Sequence, residues 1–100
     1  MTDTDTSVGD APIDLPERLD FAACETLATR LETRRGSVLR LQAGKVGFLG
    51  ALAAEILLRA RLQWQQDGAA FDLADPSPEF LQGLARLGIP RHALMQEDSA

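Results

Sequence analysis

Apolar and polar residues follow one another along the chain in a pattern that predicts three short strands and three helices. Residues 13–15 form the first strand, which is short because a proline stands on each side of it. Residues 37–41 alternate apolar and polar as a half-buried strand does, and residues 71–73 make a third, shorter strand. Strands alternate with helices, and this order is typical of an α/β sheet that is parallel wherever a helix connects two strands.

The first predicted helix begins at Phe21, where Asp20 can cap it, and ends at Gly36. Its apolar residues recur at helical spacing and form one face: Cys24, Leu27, Ala28 and Leu31. Because Cys24 lies within this apolar stripe, we interpret it as a small core residue and not as a nucleophile.

The second predicted helix covers residues 51–64 and ends near Asp67 and Gly68. One broad apolar face contains Leu52, Ala53, Ile56, Leu57, Ala60 and Trp64. A second apolar stripe follows at every fourth residue: Ala54, Leu58 and Leu62. A helix on a sheet needs only one apolar side, so this stripe either touches a neighbouring helix or forms a protein–protein surface, such as a homodimer seam.

The third predicted helix is capped by Ser77, has Pro78 at its first position and ends at Gly88. Its buried face consists of Phe80, Leu81, Leu84 and Leu87. Three short strands make a narrow sheet with exposed edges. We therefore expect either an additional strand near Val8 or a partner that covers one edge.

One hundred residues suit a single domain, which we place at residues 12–95, between a disordered leader at 1–11 and a disordered tail at 96–100. A net charge of −5 argues against nucleic-acid binding, which needs clustered lysines and arginines. The sequence has neither a secretory segment nor an apolar run long enough to span a bilayer. We expect a cytoplasmic protein without direct membrane insertion.

Residues that carry chemistry are scarce. One cysteine and one histidine, His92, allow neither a catalytic triad nor a multi-histidine metal site. The pair Gly44-Lys45 lacks the spacing and the following hydroxyl of a phosphate-binding loop. We therefore expect no catalysis, no metal and no cofactor.

With this order of elements, residues 13 to 90 resemble the STAS family, the domain of bacterial anti-sigma factor antagonists. The likeness is carried by Leu19-Asp20 before the first helix, by residues 38–41 as the central strand, by 46–49 as the approach to the signature loop, and by 76–80 with Leu87-Gly88-Ile89 at the last helix. The resemblance implies a small mixed or parallel β-sheet with three to four helices packed mainly on one face.

The departure from the family lies at the start of the second helix. Members that act as phospho-switches carry a serine or threonine there, which a partner kinase phosphorylates. The aligned residues of this chain are Gly50-Ala51-Leu52-Ala53, and none of them has a hydroxyl. We therefore expect no phosphorylation at this position.

The resemblance also implies that this loop and helix bind a protein partner, through Phe48, Leu49, Gly50, Ala51, Leu52, Glu55 and Leu58. The first hypothesis is a non-catalytic interaction module in bacterial signal transduction, of the anti-sigma factor antagonist, chemotaxis or two-component type, whose partner is a kinase. Two alternatives are the small cytoplasmic STAS subunit of a lipid-transport ABC complex, which docks on an ATPase subunit, and a STAS-like domain that binds a small apolar or nucleotide ligand. A homodimer is the further partner prediction.

Overall fold

The computed structural model describes residues 11–95. The predicted strand near Val8, the tail at 96–100 and all of the predicted leader except Ala11 lie outside the described residues. Within 11–95 the elements alternate as expected. They are β1 (Ile13–Asp14), β2 (Arg18–Leu19), α1 (Phe21–Glu32), β3 (Leu39–Gln42), β4 (Phe48–Leu49), α2 (Ala51–Asp67), β5 (Phe71–Ala74), α3 (Pro78–Arg86) and a 3₁₀ turn (Arg91–Ala93).

All strand pairs are parallel, as predicted, and they form two small sheets. The larger sheet has the order β1-β3-β5, in which Ile13 is level with Leu41 and Leu41 is level with Leu73. The smaller sheet pairs β2 with β4. The sequence pattern did not predict β2 and β4, because strands of two residues have no room for alternation. The mixed α/β class is confirmed, with two sheets in place of one.

One face of the larger sheet is buried and the other is open to solvent. Leu39, Leu41 and Leu73 are buried, whereas Arg40 and Asp72 on the opposite face are exposed. The chain moves in one direction through β1, β3 and β5, so crossovers of the same hand place α1 and α2 on the same face, where they pack against each other.

Helix ends follow the local signals. Asp20 caps α1 through a carboxylate oxygen that accepts the Ala23 N–H at 3.2 Å. The Ser77 hydroxyl caps α3 by accepting the Phe80 N–H at 3.0 Å. Gly68 ends α2 in the left-handed conformation, at φ 73°. The side chains of Asp20 and Ser77 satisfy amides that the first helical turn leaves without partners, which is why the sequence located both helix starts. The predicted end of α1 at Gly36 is wrong, because the helix ends at Glu32 and residues 33–36 form a turn.

The core lies between α1, α2 and the two sheets. Trp64 anchors the C-terminal half of α2: its ring is buried, its Nε1–H donates to the Ser37 carbonyl at 2.7 Å, and it meets Phe71 edge to face. Cys24 is buried in this core, as predicted. None of the helices in residues 11–95 has the length and apolar character needed to cross a membrane.

The predicted division of α2 into two apolar faces is partly wrong. Leu52 belongs to the predicted core-facing side, but it is exposed, because at 100° per residue it lies more than a quarter turn away from the buried stripe of Ala53, Leu57, Ala60 and Trp64. The second stripe is divided along its length: Ala54 is buried, Leu58 is half-buried and Leu62 is exposed.

Candidate functional site

The starts of α1 and α2 lie side by side because the strands before them are paired. Arg18 is level with Phe48 and Leu19 with Leu49, so each helix begins two residues after its paired position. The Gly50 N–H donates to the Leu19 carbonyl at 2.9 Å and continues the ladder into the turn. We call these two strand-to-helix connections, residues 18–23 and 48–53, the twin turns.

Arg18 joins the two connections through its guanidinium. Its Cζ atom lies 5.4 Å from the centroid of the Phe48 ring on the paired strand. Its Nε–H donates to an Asp20 carboxylate oxygen at 3.3 Å, while the other oxygen of Asp20 caps α1. A cation over an aromatic face is attractive, so Arg18 holds the Phe48 ring against the twin turns.

The α2 turn is the less protected of the two. Gly50 is its N-cap residue and provides no side-chain hydrogen bond, and the first turn of α2 contains no acidic residue. The backbone is also crowded: a Cβ atom at position 50 would lie 3.1 Å from the Leu19 carbonyl oxygen and 3.4 Å from a Phe48 ring carbon. Glycine at this position lets the Phe48 ring and the neighbouring turn approach closely.

Three large apolar side chains are exposed at the twin turns. Phe21, at the first position of α1, is 80% exposed. Phe48 is 38% and Leu52 is 41% exposed. Together with the exposed Ala51, these residues form what we call the turn surface: Phe21, Phe48, Ala51 and Leu52. Neighbouring exposed apolar residues of this kind typically mark interaction sites.

The structure brings together only some of the predicted partner-binding residues. The placement of Leu49 on this surface is wrong: it is 1% exposed, because β4 turns it inward against α3, where a Cβ atom on Gly83 would come within 2.9 Å of it. Gly50 is half-buried beneath the Phe48 ring. Glu55 is exposed and its carboxylate accepts from Arg59 at 2.8 Å.

Leu58 lies apart from the other predicted partner-binding residues. It is half-buried, about 9 Å along the axis of α2 from Leu52. It lines a separate cleft together with Leu62 and Ala93. The predicted continuous apolar surface along α2 is therefore two surfaces, one at the start of the helix and one in its second half.

Sequence reasoning missed Phe21 and Arg18 at this site. Phe21 carried a usable signal, because it lies roughly 90° around the helix from the centre of the buried stripe of Cys24, Leu27 and Leu31. A large apolar residue outside the buried stripe indicates exposure. Arg18 carried none, since its position over Phe48 depends on the pairing of two-residue strands.

Groups that could react or bind a ligand lie outside the turn surface. Burial raises the pKa of the Cys24 thiol, and the nearby Asp20 carboxylate raises it further, which favours the thiol over the nucleophilic thiolate. Among residues 11–95, no three histidine, cysteine, aspartate or glutamate side chains are grouped as metal ligands would be. A cleft of about 270 Å³ lies between α1 and the end of β1, lined by Leu15, Pro16, Thr26, Leu27 and Arg30 among others.

Comparison with known proteins does not assign the chain to a family. The chain matches no protein-family model, no curated protein and no solved structure.

Proposed function

We propose that this chain is a non-catalytic, STAS-like protein-interaction module of bacterial signal transduction that binds its partner constitutively through the turn surface. The observation that carries the proposal is the start of α2: the helix has no hydroxyl and no capping side chain there, and the exposed Phe21, Phe48 and Leu52 belong to the twin turns. A phospho-switch at this place needs an acceptor hydroxyl, whereas a permanent contact needs apolar area.

The partner we propose is a cytoplasmic kinase or ATPase subunit, following the resemblance to the STAS family. The turn surface offers it two kinds of contact. The rings of Phe21 and Phe48 and the side chain of Leu52 provide the apolar area that dominates binding energy at protein interfaces. The Arg18 guanidinium over Phe48 adds a charge at the rim, which favours orientation more than affinity.

The lipid-transport ABC subunit differs from the signalling module only in the identity of the partner. Both alternatives place an ATP-binding protein on the turn surface, so identification of the captured protein distinguishes them. The ligand-binding alternative uses a different part of the molecule, the cleft beside α1, where the Thr26 hydroxyl and the Arg30 guanidinium accompany Leu15 and Leu27. A concentration-dependent thermal shift with one metabolite would support it.

The experiment is capture of the partner by the tagged full chain in cells of the source organism, with Phe48→Asp and Leu52→Asp beside the wild type. A carboxylate in the turn surface would be desolvated by the partner, so both variants should lose a captured kinase or ATPase subunit. Leu87→Asp is the matched control, because Leu87, which the sequence wrongly placed on the buried face of the third helix, is 36% exposed at the end of α3. Equal recovery of the subunit by all four proteins would place the interface elsewhere.

A further inference from the structure

The two edge strands of the larger sheet, β1 and β5, differ in how readily another strand can pair with them. At one side, β1 has only two residues and stands between Pro12 and Pro16, which limits pairing with another strand. At the other side, β5 has four residues, Phe71–Ala74, without proline or lysine. Natural sheets normally protect such an edge, so the open β5 edge calls for a partner strand.

The hydrogen bonds to β3 show which peptide groups of β5 point outward. The Leu39 N–H donates to the Ala70 carbonyl at 2.9 Å, and the Ala43 N–H donates to the Ala74 carbonyl at 3.0 Å. In a parallel ladder every second residue bonds to the neighbouring strand, so residues 70, 72 and 74 face β3. Phe71 and Leu73 therefore direct their N–H and C=O groups away from the sheet, and no described residue outside the ladder bonds to them.

A cleft of about 500 Å³ surrounds the start of this edge. Arg40 and Asp72 line it from the open face of the sheet, and Arg61 and Gln65 of α2 line it from the helix side. Within residues 11–95, no carboxylate lies within ion-pair distance of either arginine. The Arg61 guanidinium donates one hydrogen bond, to the His92 carbonyl at 3.1 Å. The cleft therefore presents to whatever pairs with β5 two guanidinium groups that have no ion-pair partner among residues 11–95.

An apolar surface adjoins the cleft. Leu58 and Leu62 line a neighbouring cleft that shares Arg61 and Gln65 with the first one. Leu62 is 59% exposed, although it lies in the middle of a helix that packs on the sheet. The occupant of the edge should thus offer backbone groups, a carboxylate and an apolar helix face together.

We propose that the occupant is a second copy of this chain, whose β5 pairs antiparallel with β5 about a two-fold axis at Leu73. In an antiparallel pair, directly opposed residues exchange both of their hydrogen bonds, and the outward groups of Leu73 satisfy this with Leu73 of the second copy. Phe71 then lies opposite Asp75 of the second copy. A register centred on Asp72 would oppose two like charges, which is destabilising.

This register matches the charges and the helices. Asp75 is exposed and directly follows β5, so in the second copy it lies opposite Phe71, on the helix face of the joined sheet, and its carboxylate reaches the Arg61 side of the cleft. α2 connects β3 to β5, and the axis keeps both α2 helices on the same side of the joined sheet.

Sedimentation equilibrium of the full chain tests this proposal, which does not depend on the proposed function. We expect a dimer in the wild type, and a dissociation constant raised at least about tenfold by Leu62→Asp at the α2 seam. Leu52→Asp is the matched control on the same helix and should dimerise as the wild type does. A wild-type chain that stays monomeric up to its solubility limit, or equal dimerisation of both variants, would overturn the proposal.

A second measurement tests the register itself. Arg61→Gln and Asp75→Asn should each weaken the dimer, and the double variant should lose less than the sum of the two losses, because in the proposed register the two side chains lie on the same face of the joined sheet. Exchange of the Leu73 amide should slow as the concentration of the chain rises. Strictly additive losses, or a Leu73 amide that is protected only when a different protein is added, would contradict the pairing of two copies.

Discussion

At the twin turns, two helices begin in nearly the same geometry with different residues. The α1 turn has a carboxylate cap, Asp20, whose second oxygen accepts from Arg18. The α2 turn has Gly50, which provides no side-chain cap. Both turns follow a buried leucine of a paired strand. The comparison shows that strand pairing sets the position of the two turns. The residues after the strands decide whether a side chain caps the helix start or leaves its amide groups available to a partner.

The largest effect should come from the leucines that the two turns share. Leu19→Ala and Leu49→Ala should each lower the free energy of unfolding by about 2–5 kcal/mol, because each removes a fully buried side chain and leaves a cavity. Leu52→Ala, at an exposed position three residues from Leu49, should cost less than about 0.5 kcal/mol. Urea denaturation measures all three. Equal losses for Leu49→Ala and Leu52→Ala would show that the two turns do not share a core.

The next effect concerns the cap that only α1 possesses. Asp20→Ala should cost about 1 kcal/mol, because the Ala23 N–H loses its acceptor and Arg18 loses its partner. Asp20→Asn should retain most of that stability, since an asparagine oxygen caps a helix nearly as well. Thermal unfolding of the two variants separates the cap from the charge. If Asp20→Ala were as stable as the wild type, the cap that distinguishes α1 from α2 would contribute nothing to the free energy of unfolding.

The sequence pattern predicted those features that depend on interactions between residues close together in the chain. Asp20, Ser77, Pro78 and Gly68 lie within one turn of the helix ends that they define, so the pattern located those ends. The burial of Leu49 depends on Gly83 of α3, which is more than thirty residues away, and on a two-residue strand pair. No local pattern carries that information, and the surface predicted from the sequence therefore includes one core residue and omits Phe21.

A charge at the uncapped turn should separate stability from binding. Ala51→Asp should raise the free energy of unfolding by about 0.3–1 kcal/mol, because a carboxylate interacts favourably with the positive end of the α2 dipole. The same carboxylate in the turn surface should weaken binding of the captured partner. Ala51→Ser is the matched control and should change neither property. Phosphorylation of the Ala51→Ser variant by a partner kinase would show that the turn lacks only the hydroxyl of a switch.

The smallest effect should come from the link between the turns. Arg18→Gln should cost roughly 0.5 kcal/mol, since both the ring contact with Phe48 and the ion pair with Asp20 are exposed to solvent. Arg18→Lys should lose less, because a lysine also places a cation near the ring. Denaturation at low and high salt checks the ion pair, whose share should fall as salt screens it. A loss above that of Asp20→Ala would show that the link between the turns outweighs the cap of α1.

The most direct test of the central proposal is the dissociation constant between the full chain and the captured kinase or ATPase subunit, compared for four variants. Phe48→Asp and Leu52→Asp should bind at least roughly 30-fold more weakly than the wild type, as expected where interface anchors are lost. Leu87→Asp and Leu62→Asp should bind as the wild type does. Unchanged affinity in Phe48→Asp and Leu52→Asp, with intact folding, would contradict a constitutive partner contact at the start of α2.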